Sequence, residues 1–223
     1  MKTLILIPTE LERRQLREPL HDALAAALAD GSRLELCGFG PVAAAARTAS
    51  LLAAARPERV VLVGIAGSLD PRLEIGRAYH FSEVACHGIG AGEGASFVTA
   101  SELGWPQWPG DPPEAAEAVG DVVPCSAATA AAGMAAEAGQ LLTVCAASAC
   151  PAEAAHRRRL FPAAVAEDME GFGVAAACRM AGVSLTIIRG ISNQAGNREV
   201  ASWKIPAALA AAGIAARQLL KES

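Results

Sequence analysis

Three short polar segments each follow an apolar, β-prone run, and each carries a residue able to do chemistry. Glu12 lies three residues after Thr9. That is the spacing of a capping box, in which a glutamate reaches back to the backbone N–H of the cap residue. The same glutamate follows the apolar run 3–7, and open α/β sheets bind ligands beyond the carboxyl ends of their strands. Taken alone, Glu12 reads first as a cap, with a general base as the functional alternative. Asp168-Met169-Glu170-Gly171 joins a second strand to a helix. Acids at a helix N-terminus are stabilised by its dipole, and a carboxylate there can equally accept hydrogen bonds from both hydroxyls of a ribose. The third segment, Arg189-Gly190-Ile191-Ser192-Asn193-Gln194-Ala195-Gly196, closes the apolar run 183–188. A turn accounts for Ser-Asn and Ala-Gly, whereas the arginine calls for a carboxylate from another strand end. Glu12, Glu170, Arg189 and Asn193 together describe a ligand cleft.

Two glycine-rich segments invite other readings. Gly38-Phe39-Gly40-Pro41-Val42-Ala43 follows a strand and opens a helix, as a dinucleotide-binding loop does. The acid that should end the next strand is missing, since that strand runs out in Val63-Gly64-Ile65-Ala66-Gly67. A tight strand-to-helix turn explains it better, and a dehydrogenase is the least favoured enzyme class. Gly88-Ile89-Gly90-Ala91-Gly92-Glu93-Gly94 offers backbone N–H groups to a polar ligand, or is a surface loop; its alternate glycines imply that something approaches the backbone closely.

These segments need elements to hold them. β-prone runs over 3–7, 33–37, 60–64, 77–85, 141–146, 165–168 and 185–189 alternate with helical stretches over 11–29, 42–55, 127–138, 152–160, 173–181 and 205–220. That alternation predicts an α/β fold with a largely parallel sheet covered by helices. The stretch 104–113, with Pro106, Pro109, Pro112 and Pro113, reads as loop, and neither flanking half looks self-sufficient. One domain over residues 1–223 is expected.

At 52% hydrophobic residues the chain can bury a sizeable core. Its 19 basic and 23 acidic residues are mixed along the chain, with no basic stripe, which argues against a nucleic-acid partner. The apolar start is too short for a signal peptide, and no apolar run reaches the roughly 20 residues of a membrane span. A cytoplasmic protein with a small-molecule substrate is expected. Six cysteines without a C-x-x-C pair and four histidines without ligand spacing imply buried thiols, no metal site and no cofactor.

Taken in order, Pro8-Thr9-Glu10-Leu11-Glu12, Gly38-Phe39-Gly40-Pro41-Val42, Val63-Gly64-Ile65-Ala66-Gly67, Asp168-Met169-Glu170-Gly171-Phe172 and Arg189-Gly190-Ile191-Ser192-Asn193 resemble the nucleoside phosphorylase/nucleosidase superfamily. The resemblance spans nearly the whole chain. It implies a single-domain three-layer α/β/α fold with a mixed central sheet. The glycines of 88–94 followed by Leu103-Gly104-Trp105-Pro106-Gln107 resemble the branch that cleaves futalosine with water in an alternative menaquinone route. By this resemblance Glu12 activates the water and Arg189 orients Glu12. Met169 lies under the sugar, Glu170 grips its 2′- and 3′-hydroxyls, and Asn193 binds the purine. Ile65, Ala66, Gly67 and Gly90 complete the binding set. The segment 146–151 is small where relatives carry an aromatic residue, so Phe172 or Phe97 is expected to stack on the purine. His87, the 88–94 loop, Arg198 and Lys204 are candidates for the far end of the substrate. A homo-oligomer, dimer or larger, is implied.

Position 193 bears on the base. Relatives acting on adenine nucleosides have Asp there, an acid able to protonate N7. Asparagine donates to N7 or a 6-oxo group without being an acid, which favours a 6-oxopurine. Leu62 stands where phosphorylases carry arginine, and a phosphate dianion needs several charged or N–H partners, so hydrolysis is favoured. The alternatives are a nucleosidase for adenine nucleosides such as methylthioadenosine, S-adenosylhomocysteine or aminofutalosine, a phosphorylase, and a nucleoside-binding module without catalysis.

Overall fold

The computed structural model describes residues 2–29, 31–113, 115–126 and 136–221. In chain order these form β1 (Thr3–Ile7), α1 (Glu10–Ala29), β2 (Arg33–Leu36), α2 (Pro41–Ala55), β3 (Arg59–Ser68), β4 (Ala78–Phe81) and β5 (Glu83–Cys86). Then follow β6 (Gly90–Ala91), β7 (Val98–Thr99), β8 (Val122–Pro124), β9 (Ala136–Glu137), β10 (Gln140–Thr143) and α3 (Pro151–Leu160). The chain ends with β11 (Ala164–Asp168), α4 (Gly171–Met180), β12 (Ser184–Gln194) and α5 (Ile205–Lys221).

Side chains of a strand alternate between faces, and here both faces are covered. Ile5, Ile7, Val61, Val63 and Ile188 pack with Leu16 and Leu20 of α1 and Leu209, Ala212, Ala216 and Leu219 of α5. Their neighbours Leu4, Leu6, Val60, Leu62 and Ile187 face Ala44, Leu51 and Leu52 of α2 and Val174, Ala175 and Cys178 of α4. The result is three layers around one mixed sheet. β1 runs parallel to β2 and β3, β3 parallel to β12, and β10 parallel to β5 and β11. β4 is antiparallel to β12, and β11 to β3.

Two long strands position the site. β3 and β12 pair from Ser184–Arg59 to Gln194–Ser68, with an irregularity between Ile191 and Asn193. β11 meets the far end of β3 antiparallel, Glu167 opposite Gly67 and Ala166 opposite Ser68. The carboxyl ends of β3, β11 and β12 therefore converge.

The sheet departs from the expected pattern in three places. The run 77–85 is two strands, because β4 and β5 lie at opposite ends of the strand order β8-β5-β10-β11-β3-β12-β4-β9. A single residue, Ser82, separates them, and one residue spans only about 3.5 Å, so the sheet must curl until its ends meet. Ser192-Asn193-Gln194 continues β12 rather than forming a turn, its backbone paired with β3. Of the helix expected at 127–138, residues 127–135 lie outside the described residues, and Ala136–Glu137 is strand paired with β4.

Candidate functional site

A cleft of about 750 Å³ opens at the converging strand ends. Its lining includes Thr9, Glu12, Ile65, Ala66, Gly67, Met169, Glu170, Ser192 and Asn193, together with the segment Cys145–Ala149. Seven of the expected residues thus share one cavity.

Glu12 is held from three sides. Its Oε2 accepts the Thr9 N–H (3.0 Å) and hydroxyl (2.7 Å), and Oε1 accepts the Ile65 N–H at 3.1 Å. The Glu12 N–H in turn donates to Thr9 Oγ1 at 3.3 Å. The capping box is real, and the same carboxylate lines the cleft: β1 and α1 meet at the turn that the cap stabilises.

Arg189 lies in β12 beneath the cleft floor and is fully buried. Its Nη2 pairs with Asp168 Oδ2 and, at 3.4 Å, with Glu170 Oε2. Its ion pairs are thus with Asp168, which ends β11, and with Glu170 two residues further on, while the expected partner Glu12 lies across Gly64. Nε and Nη1 have no hydrogen-bond partner among the described residues. Gly64 explains where Nη1 goes: a Cβ at that residue would lie 2.2 Å from Nη1, 2.8 Å from Glu12 Oε1 and 3.2 Å from Pro8 Cδ. The missing side chain is the space that guanidinium and carboxylate share.

Asp168 also accepts the Thr143 hydroxyl (2.6 Å) and the Gly171 N–H (2.8 Å), so it is saturated. Glu170 is not. Oε1 accepts only the Gly40 N–H, at 3.2 Å, and Oε2 only the long contact from Arg189. Burial pushes its carboxyl up to about 7; Arg189 pulls it down, Asp168 pushes it up, the Gly40 N–H lowers it and Glu12 raises it. The Gly38–Gly40 turn, read first against a dinucleotide, serves to aim a backbone N–H at Glu170.

Asn193 Nδ2 donates to the Gln194 carbonyl at 2.8 Å, and its Oδ1 accepts the Ser192 hydroxyl at 2.8 Å. An amide nitrogen carries two hydrogens, so one remains to face the cleft. Loop Cys145–Ala149 is pinned from behind. Glu167 accepts the Ser148 N–H (2.8 Å) and hydroxyl (2.7 Å), while Arg157 donates to Glu167 (2.8 Å), to Ser148 Oγ (2.7 Å) and to the Ala146 carbonyl (2.7 Å).

Three expected residues lie elsewhere. Phe172 opens α4 but its ring is in the core with Leu141 and Val174, and its N–H donates to Thr143 Oγ1 at 2.8 Å. It offers no face to a purine. Phe97 packs against His87 with ring centroids 5.2 Å apart, away from the cleft lining. Gly90 pairs with Thr99 in the β6–β7 hairpin, where a Cβ would come 2.0 Å from the Val98 carbonyl oxygen. At Gly92 it would come 2.3 Å from that of Ser96. The close approach read from the glycines is by the chain's own backbone. Cys145, exposed at the cleft, departs from the expectation of buried thiols.

Sequence reasoning left Asp168 out of the site, along with Arg157, Glu167 and Ser148. Their sequence signal is only an acid or arginine near a strand or helix end. Leu11, Phe39 and Trp203 also line the cleft, as does Arg198, one of the residues expected at the far end of the substrate.

Comparison with known proteins agrees with this geometry. Residues 33–223 match the family model of the phosphorylase superfamily, and the chain belongs to that family. Futalosine hydrolase of Streptomyces coelicolor is 36% identical over 194 residues, covering 82% of this chain and 76% of that one. A 5'-methylthioadenosine/S-adenosylhomocysteine nucleosidase of a Marinomonas species is 27% identical over 75% of this chain and 70% of its own. Among solved structures, the corresponding nucleosidase of Neisseria meningitidis superposes with a TM-score of 0.76 at 22% identity, both chains fully covered. Futalosine hydrolase of Helicobacter pylori superposes with a TM-score of 0.70 at 18% identity, over 99% of this chain and 96% of that one.

Proposed function

We infer that this protein hydrolyses the N-glycosidic bond of futalosine, releasing hypoxanthine and dehypoxanthine futalosine, as a step towards menaquinone. The observation that carries the reading is that Glu12 and Glu170, remote in sequence, line one cleft at the carboxyl ends of three converging strands. The similarity to futalosine hydrolase supports the choice of substrate.

In this reading water held by Glu12 attacks C1′ while the C1′–N9 bond breaks. The proton of the water passes to Glu12 and the bonding electron pair leaves with the purine. Positive charge builds on the ribose as the bond lengthens, and preorganised carboxylates in a water-poor cleft stabilise it. Glu170 accepts the 2′- and 3′-hydroxyls with the lone pairs that Gly40 and Arg189 leave free, and Met169 lies under the sugar. Ile65, Ala66 and Gly67 line the attacking side. Asn193 donates its free N–H to N7 or the 6-oxo group and stabilises the departing anion. Arg189 holds Glu170 and Asp168 and lends its charge to Glu12 across Gly64.

Water is favoured over phosphate because Leu62 is a buried core residue and, among the described residues, the cleft lining supplies no cluster of cations for a dianion. No helix among the described residues is long and apolar enough to cross a membrane, in keeping with a cytoplasmic enzyme. Exposed Leu11 and Phe39 at the cleft, with Val42 beside them, suit a homo-oligomer in which a neighbouring copy covers that rim. One domain over residues 1–223 completes the proposal.

Pure protein given futalosine in phosphate-free buffer should release hypoxanthine. No release with enzyme and substrate at comparable concentration sinks the assignment. For the rival adenine reading, Asn193→Asp is expected to shift preference towards aminofutalosine by supplying an acid at N7; an unchanged base preference removes Asn193 as the reader of the purine.

A further inference from the structure

Resting on that reading, the remaining question is what recognises the end of the nucleoside remote from the purine, which in futalosine is a benzoate. The cleft lining carries four acids, Glu12, Glu167, Asp168 and Glu170. Two arginines offset them from outside the lining, Arg189 with Asp168 and Glu170, and Arg157 with Glu167. Neither belongs to the lining, and Arg189 is fully buried, so an anionic ligand entering the cleft meets a negative wall unless another cation receives it. Among the described residues the lining holds one, Arg198.

Three features set Arg198 apart from an ordinary solvated arginine. It has no carboxylate partner among the described residues, whereas most other cleft charges are paired. Its guanidinium carbon lies 5.3 Å from the centroid of the Trp203 ring, within cation–π range, so the ring attracts and restrains the charged head. The platform is itself anchored, because Trp203 Nε1 donates to the Asn197 carbonyl at 3.0 Å and Asn197 Nδ2 to Ser202 Oγ at 3.2 Å. Trp203 also lines the cleft. A held guanidinium beside an indole presents two parallel N–H donors next to an apolar face, the complement of a carboxylate borne on an aromatic ring.

We propose that Arg198, stacked on Trp203, is the specificity residue that binds the aryl carboxylate of the substrate, so that the enzyme selects nucleosides ending in that group. Lys204 and His87 do not share this role, since neither lines the cleft, and His87 packs between Phe97 and Phe161.

The test compares futalosine with its carboxyl methyl ester, which keeps the purine, the ribose and the aromatic ring but loses the charge. The wild-type enzyme is expected to favour the acid over the ester by about 10- to 100-fold in kcat/KM, chiefly through KM, as for a charge-assisted hydrogen bond. Arg198→Ala should shrink that preference to within about twofold, and Arg198→Lys should retain part of it. Raised salt should weaken the wild-type preference, since Arg198 is exposed. Ester turnover by Arg198→Ala reports that the variant is folded. A wild type that treats acid and ester alike, or an Arg198→Ala that still discriminates as the wild type does, overturns the Arg198 assignment and leaves the nucleosidase reading standing. A wild type that cleaves neither overturns both.

Discussion

Two arginines brace the cleft from outside its lining, and they are built differently. Arg157 meets Glu167, Ser148 and the Ala146 carbonyl with ordinary hydrogen bonds of 2.7–2.8 Å, and Glu167 takes two further donors from Ser148. That network is saturated. Arg189, entirely buried, serves two acids through one nitrogen and leaves Nε and Nη1 unpartnered among the described residues. Its neighbour Glu170 is underused as an acceptor and has its carboxyl raised by burial to about 7. Buried polar groups are normally satisfied, and among the described residues Arg189 alone leaves two such atoms unpartnered; with the underused Glu170 it marks where a ligand can complete the cluster. The satisfied network is scaffold for the loop Cys145–Ala149; in the proposed function the unsatisfied one is the reacting floor.

The contrast is sharpened most by Glu12→Gln. The amide keeps the reach-back of the capping box but cannot take a proton, so turnover should fall by about 10²–10⁴-fold while futalosine still binds by calorimetry. A variant of undiminished rate would take the base role from Glu12. Next is Arg189→Met, which strands Asp168 and Glu170 as buried charges. Urea unfolding should register a loss of about 3–5 kcal/mol. Arg157→Met should cost less, about 1–3 kcal/mol, because Ser148 still satisfies Glu167, and its kinetic effect should lie in KM as the loop loosens. Equal losses for the two arginines would dissolve the distinction between them.

The smallest expected effect is a pH dependence. With the folded carboxyl of Glu170 raised above its ordinary value, protonation stabilises the fold; that contribution is full below the ordinary carboxylate range and is lost as pH rises through about 7. Substrate needs the ionised form as acceptor for the ribose diol, so kcat/KM should decline as pH falls below about 7. Glu170→Gln should flatten that limb of the profile. An inflection that persists in the variant belongs to another group.

Much of the site was legible because strand ends are. The apolar runs ending before Glu12, Asp168 and Arg189 betray their carboxyl termini, and an α/β alternation brings such termini to one edge. The Thr9–Glu12 spacing likewise announced a cap that the structure contains. Side-chain direction was less readable. Phe172 sits one residue from Gly171 at the start of α4, and only the packing of α4 against α2 and the sheet turns its ring into the core. The glycines at 90 and 92 signalled close contact without saying with what. Ser192-Asn193-Gln194 has turn composition, yet backbone pairing with β3 overrides it.

Which residues are able to do the chemistry follows from the order of amino acids alone, because residue type sets what can accept a proton or a diol, and strand and helix periodicity sets where they emerge. Their partnerships arise from the folded chain. Arg189 lies beneath Asp168 and Glu170, beside Glu12 across an empty Gly64, because β3, β11 and β12 converge there. A contact between remote segments has no local signature; it follows from the register of one strand against another.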